Sequence, residues 1–176
     1  LSENTSAYNA WLEVIDQKGI ERTIAKAGQR IELGTGMVME VIWPGADLLE
    51  GTESDANNNS VVLQLVWGEV SFLFTGDIEE EAEREILYDD LWHDLNSTVL
   101  KVAHHGGAKS TSSQFIAAVD PQVAVISVGE NNYFGHPSDE VLGRLGGVEV
   151  YRTDEHGTIM VTTDGQRLWV EVAGAG

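Results

Sequence analysis

The sequence predicts a layered α/β domain, and three observations carry that prediction. Two apolar runs, "SVVLQLVW" and "VSFLFT", meet at Gly68-Glu69, a hairpin signal. From Asp77 to Leu145, apolar strands alternate with amphipathic helices, the pattern of a sheet covered by helices. Three short strands then close the chain as a meander. At 176 residues the chain fits one domain, 1–176, large enough to bury a core.

The elements follow in order. Trp11, Leu12 and Ile15 recur at helical spacing within Ala7–Lys18, and Gly19 stops the helix. Strands are predicted at Arg22–Lys26 and Met37–Trp43, separated by the turn chemistry of "AGQRIELGTG". "PGADLLEGTESDANNN", residues 44–59, reads as a polar loop before the central hairpin. In "IEEEAEREILYDDLW", Ala82, Ile86 and Leu87 share one helix face, and glutamates crowd the first turns, where the dipole favours them. Next come strand Thr98–Ala103, helix Ser112–Val119, strand Gln122–Val128 and helix Asp139–Leu145. "VEVYRT", "GTIMVTT" and "QRLWVEV" are the closing strands, the last two meeting at Asp164-Gly165. There is no internal repeat. The tryptophans at 11, 43, 67, 92 and 169 read as core or rim packing.

Composition narrows the chemistry. The chain has no cysteine, so disulfides and thiolate metal sites are excluded and His, Asp and Glu remain as ligands. A formal charge of −19, with sparse Lys and Arg, excludes a broad basic surface for a nucleic-acid backbone. An anionic substrate would need a metal ion, a helix N-terminus or another domain; solubility explains the acidity equally well. No apolar run approaches the ~18 residues of a membrane span, which predicts a soluble segment. The opening "LSENTSAYNA" carries no targeting signal and reads as the start of a fragment.

Three strand ends carry the residues of interest. In "SFLFTGDIEEE" an apolar strand delivers Asp77 just before a helix, where it is either an N-cap or a rigidly held metal ligand. "VLKVAHHGGAKSTSS" ends a strand in His104 and His105. Adjacent strand residues point to opposite faces, so one of the pair faces a given cleft unless the strand has already ended. One would be a ligand, and the other would support it or contact substrate. Gly106 and Gly107 let backbone or substrate approach closely. Lys109, Ser110 and Thr111 precede a helix; Thr111 with Gln114 forms a capping box, and lysine and hydroxyls there also suit a small anion. In "VISVGENNYFGHPSDEV", His136 follows a third strand end, directly before Pro137. Three such candidates on one edge of an α/β sheet mark where sites gather. His93 and His156 read as solvated surface residues. "DANNNS", residues 55–60, reads as a loop that could line the same cleft.

In this order, TGD, HHG-x-x-S and GHP resemble the metallo-β-lactamase-like domain of the ComEC family of competence proteins, over Asn57 to Gly165. The resemblance implies an αββα sandwich with a dinuclear Zn or Mn cleft at the strand ends, and a nuclease acting on DNA during uptake. It places the domain on the extracytoplasmic side of the cell membrane, beside the parent channel, with no nucleotide cofactor. Carried over, Asp77, His104 and His136 would be metal ligands, and His105, Lys109 and Ser110 would serve catalysis. The motif does not decide between His104 and His105 as the ligand. The superfamily's His-x-His-x-Asp-His cluster is missing, since the first histidine here is His93. The chain therefore reads as a partial domain beginning after that motif, and the metal ions as belonging to the complete domain. Two other readings stand beside the nuclease: a hydrolase of another phosphodiester, such as a phosphorylcholine ester, and a metal-free domain that binds a partner beside the channel.

Overall fold

A computed structural model describes residues 5–88 and 94–174. His93, Trp92 and the end of the predicted acidic helix lie outside the described residues. Helix α1 (Ser6–Gln17) starts at the Thr5 hydroxyl, which accepts from Tyr8 N, and buries Ile15. Strands β1 (Arg30–Gly34) and β2 (Met37–Trp43) form a hairpin through Thr35 and Gly36, both at positive φ. This differs from the sequence reading. Because the turn sits at Thr35-Gly36, the residues that can pair with β2 are those just before it, so "RIEL" forms the strand and Arg22–Lys26 is left as irregular backbone. Arg30–Leu33 does alternate polar and apolar residues, but the run is only four residues long and sits inside Gly-rich turn chemistry, and its Ile31 and Leu33 are left exposed.

After one helical turn, α2 (Asp55–Asn58), come β3 (Val62–Trp67) and β4 (Val70–Phe74), paired as predicted. Then α3 (Glu80–Tyr88), β5 (Val99–Lys101), α4 (Ser113–Val119), β6 (Val123–Ile126), α5 (Asp139–Arg144) and β7 (Glu149–Arg152) follow. A turn of helix, α6 (Thr153–His156), leads to the hairpin β8 (Ile159–Thr163) and β9 (Leu168–Val172).

Strands β1 to β7 form one mixed sheet in sequence order. The first four are antiparallel; β4, β5, β6 and β7 are parallel, as crossover helices require. Class α/β is therefore the observed architecture. One sheet face carries Val62, Leu73, Leu100 and Ala124 against Ile78, Ile86, Phe115, Val119 and Leu145 of the helical layer. Each fully buried large side chain there contributes about 1.5–3 kcal/mol. The opposite face carries Phe72 and Phe74, whose rings stack at 6.3 Å, and Ile159 and Val161 of the terminal hairpin line a cavity with them. Among the described tryptophans, Trp43 is buried, Trp67 packs against Gly165, and Trp11 and Trp169 are exposed rather than packed. His156 is half-buried instead of solvated: its Nδ1 accepts from Arg152 N at 3.1 Å.

The sheet order sets the site. With β4, β5 and β6 parallel neighbours, their carboxyl ends lie side by side, and the segments holding Asp77, His104-His105 and His136 emerge from them.

Candidate functional site at the strand ends

The β5 strand ends at Lys101, before the histidines. His104 (φ 47°) and His105 (φ 55°) both take left-handed backbone, which is uncommon outside glycine. The alternation of a strand no longer applies, and the rings sit 6.4 Å apart. His104 also lies edge-on to His136, with centroids 5.5 Å apart.

Each of the paired histidines is oriented through Nδ1. That of His105 is 2.6 Å from the carbonyl oxygen of Ser127, which can only accept, so Nδ1 carries the proton. That of His104 is 3.2 Å from Oε1 of buried Glu79, again an acceptor. Both rings are thus held through Nδ1 with Nε2 directed elsewhere, the arrangement typical of metal-ligating imidazoles. Nε2 of His104 lies 3.4 Å from the Asn57 amide, and Nε2 of His105 lies 3.8 Å from Oδ1 of Asp77. A ring nitrogen and a carboxylate oxygen at that range can be bridged by a proton or a cation. Partial burial, with the neighbouring imidazoles of His104 and His105, holds His136 below the ordinary histidine range.

Asp77 is free for this role because another residue caps the helix. Oδ1 of Asn58 accepts from Glu79 N at 3.0 Å and Ala82 N at 3.3 Å. Asn58 is fully buried, and its amide nitrogen donates to Thr52 Oγ1 and Glu81 Oε2. The "DANNNS" segment therefore builds one wall of the cleft, with Asn57 donating to Glu79 at 3.2 Å. Lys101 lies beneath, its Nζ donating to Gly76 O at 3.0 Å. Burial pulls the Lys101 amine below its usual range, against the opposing pull of Asp77.

The lysine and hydroxyl group behaves differently from its sequence reading. Ser110 is fully buried and donates to Ala103 O and Gly107 O, so it braces its own loop. Lys109 pairs with Glu53. The α4 N-cap is Ser112, whose Oγ accepts from Phe115 N at 3.2 Å, in place of Thr111. The place an anion would take before α4 is filled by Glu83, which accepts from Thr111 N and from Ser112 N at 2.8 Å. The pocket for a small anion is occupied by the protein's own carboxylate. Arg144, which the sequence did not single out, holds this loop through Ala108 O and Ser110 O.

The glycines also have a specific use. A Cβ on Gly106 (φ +82°) would meet Pro137 at 2.6 Å, and one on Gly107 would meet His104 and His136 at 3.3 Å each. The close approach at these two positions is by this chain's own loop and imidazoles.

Imidazole nitrogens and a carboxylate suit Zn²⁺ or Mn²⁺ in kind. In number they fall short: among the described residues no group of three or more His, Asp or Glu side chains converges to hold an ion. These residues alone do not complete a metal centre.

Fold and site together define an α/β domain with an imidazole–carboxylate cleft at the carboxyl ends of parallel strands. The chain is 42% identical over 105 residues to ComE operon protein 3 of Bacillus subtilis (strain 168), covering 58% of this chain and 13% of that protein. It is 36% identical over 124 residues to Competence protein ComA of Neisseria gonorrhoeae, covering 66% and 18%. It is 37% identical over 89 residues to Recombination protein 2 of Haemophilus influenzae, covering 51% and 11%. No family model matches. The chain thus spans between 11% and 18% of the length of these relatives. Among the described residues no helix is long and apolar enough to cross a membrane.

Proposed function

We propose that this chain is part of a metal-dependent phosphodiesterase, a nuclease acting on DNA during competence-related uptake, with a metallo-β-lactamase-like αββα sandwich as its complete fold. The observation that carries the reading is the histidine pair. Both Nδ1 atoms are anchored on acceptors, Nε2 of His105 faces Asp77 while that of His104 faces the Asn57 amide, and His136 adds a third imidazole beside His104. Asp77, His104 and His136 would hold metal, with His105 as the alternative ligand. The remaining ligands would come from residues outside this chain, which covers a small share of its relatives. Divalent ions, when bound, lower the pKa of water and neutralise phosphate oxygens, which reconciles an acidic protein with an anionic substrate. The chain's own residues orient the imidazoles through Nδ1, hold Asp77 opposite His105 and bring the β6–α5 loop against the histidine pair. Ser110, through its bonds to Ala103 O and Gly107 O, would serve by holding the histidine loop, and Lys109, now paired with Glu53, is a cation of that loop that a phosphate could draw away. The competence names of relatives support a role in uptake machinery; the proposed place is the extracytoplasmic side of the membrane, beside the parent channel.

A second reading has its own observation. That no three donors converge among the described residues suits a metal-free domain that binds a partner at this cleft. The test is Mn²⁺- and Zn²⁺-dependent cleavage of single- and double-stranded DNA by a longer protein containing this segment, beside its Asp77→Ala variant. A phosphorylcholine ester is assayed in parallel. Cleavage of DNA that the variant loses establishes the nuclease. Cleavage of the ester alone changes the substrate, and no cleavage with no metal retained establishes the binding domain.

A further inference from the structure

The β6–α5 loop contains a feature that metal chemistry does not use. Asn132 closes the loop: its amide donates to Gly129 O at 3.0 Å and His136 O at 2.7 Å, and its Oδ1 accepts from His136 N at 2.9 Å. The closure carries Tyr133 and Phe134 outward, fully exposed and 82% exposed. The Phe134 ring lies nearly parallel to the imidazole of His136, 20° apart with centroids at 5.8 Å. It also lines a cavity of about 430 Å³ with His105, Ser127, Val128, Asn132 and His136. That volume falls in the range of small-molecule sites, about 300–1,000 Å³.

We propose that Phe134 and this cavity form a subsite for a base of single-stranded DNA, stacked on the phenyl ring beside His105 and His136. The assignment rests on the phosphodiesterase reading and names the part of the substrate the chain holds. Three arguments converge on it. A chain of charge −19 repels phosphates, whereas bases are neutral. The cavity lining contains no carboxylate and no lysine or arginine, so it is an uncharged place on an acidic protein. An aromatic ring with an exposed surface is the sequence-tolerant device for holding a base, whereas duplex bases are already stacked on one another. Recognition by stacking also predicts weak salt dependence, because few counterions are released.

The experiment is fluorescence anisotropy of a labelled oligothymidylate with the 176-residue chain in EDTA, which removes metal from the measurement. Phe134→Ala, Phe134→Trp and Tyr133→Ala are compared, with a duplex and an abasic strand of equal length. The expected result is preference for the base-bearing single strand, about tenfold or greater weakening in Phe134→Ala, and recovery in Phe134→Trp. Tyr133→Ala, on the same loop but outside the cavity lining, should change affinity less than about twofold. Equal binding by the abasic strand, an unaffected Phe134→Ala, or equal losses at 133 and 134 would each overturn the subsite. Failure of cleavage by the longer protein, with Phe134-dependent binding retained, removes the nuclease and leaves the subsite; the reverse pattern removes the subsite alone.

Discussion

Oε1 of Glu79 lies 3.2 Å from Nδ1 of His104, and the glutamate side chain is only 7% exposed. The same oxygen accepts from the Asn57 amide at 3.2 Å. One buried carboxylate thereby sets the His104 tautomer and ties the Asn57 loop to the histidine turn. Glu79→Ala should orphan both donors and lose about 1–3 kcal/mol in urea unfolding. Ring-nitrogen NMR should show His104 passing from an Nδ1-protonated state to mixed tautomers. An unchanged spectrum would show that the histidine turn alone orients the ring.

Asn58 and Asp77 offer a contrast between a cap and a cleft residue. Asn58→Ala removes two acceptor contacts at the start of α3 and two donor contacts inside a closed site. A loss of about 2–3 kcal/mol is expected. Asp77→Ala should shift stability by no more than about 0.5 kcal/mol, because its carboxylate, 40% exposed, faces His105. The reverse order of midpoints would make Asp77 the cap.

The two adjacent glycines should respond differently. Gly106→Ala combines left-handed backbone with overlap on Pro137, so it should cost several kcal/mol and separate the histidine turn from the β6–α5 loop. Gly107→Ala has ordinary backbone and meets only the His104 carbonyl and the two imidazoles at 3.3 Å. It should melt near wild type while changing the His104 and His136 ring resonances. Equal melting losses would show that side-chain contact, which both substitutions introduce, and not left-handed backbone, governs the two positions.

Glu83 makes stability depend on pH. Burial raises its pKa above 4.5, opposed by the hydrogen bonds from Ser112 and Thr111. The folded state thus holds the proton more tightly than the unfolded chain. The stability tied to this titration is fully present below about 4.5 and is lost as pH rises through the folded value. Glu83→Ala should be destabilised by about 2–4 kcal/mol at neutral pH, with two backbone donors orphaned. The wild-type advantage should widen on acidification toward 4.5. A gap that narrows there would reverse the sign assigned to burial.

Much of the site could be read along the chain because it lies where apolar runs stop. Asp77, His104, His105 and His136 each follow a strand whose apolar residues announce it, and parallel neighbours align their ends. The β3–β4 and β8–β9 hairpins were equally readable, since Gly68-Glu69 and Asp164-Gly165 interrupt clear strand patterns. The β1 strand was not, because it is exposed throughout and pairing, not burial, defines it.

The sequence by itself determined which residues stand at the strand ends, the strand–helix alternation and the restriction to imidazole and carboxylate donors. Tertiary structure alone decided which partner each would meet. Asn58 caps a helix that starts more than twenty residues later, Glu83 fills the anion position before α4, and Glu79 and Ser127 choose the tautomers of His104 and His105. Local periodicity and propensity act over a few residues. A hydrogen bond in a closed site depends on which acceptor the packed sheet and helices bring within 3 Å or so, a distance that sequence separation does not encode.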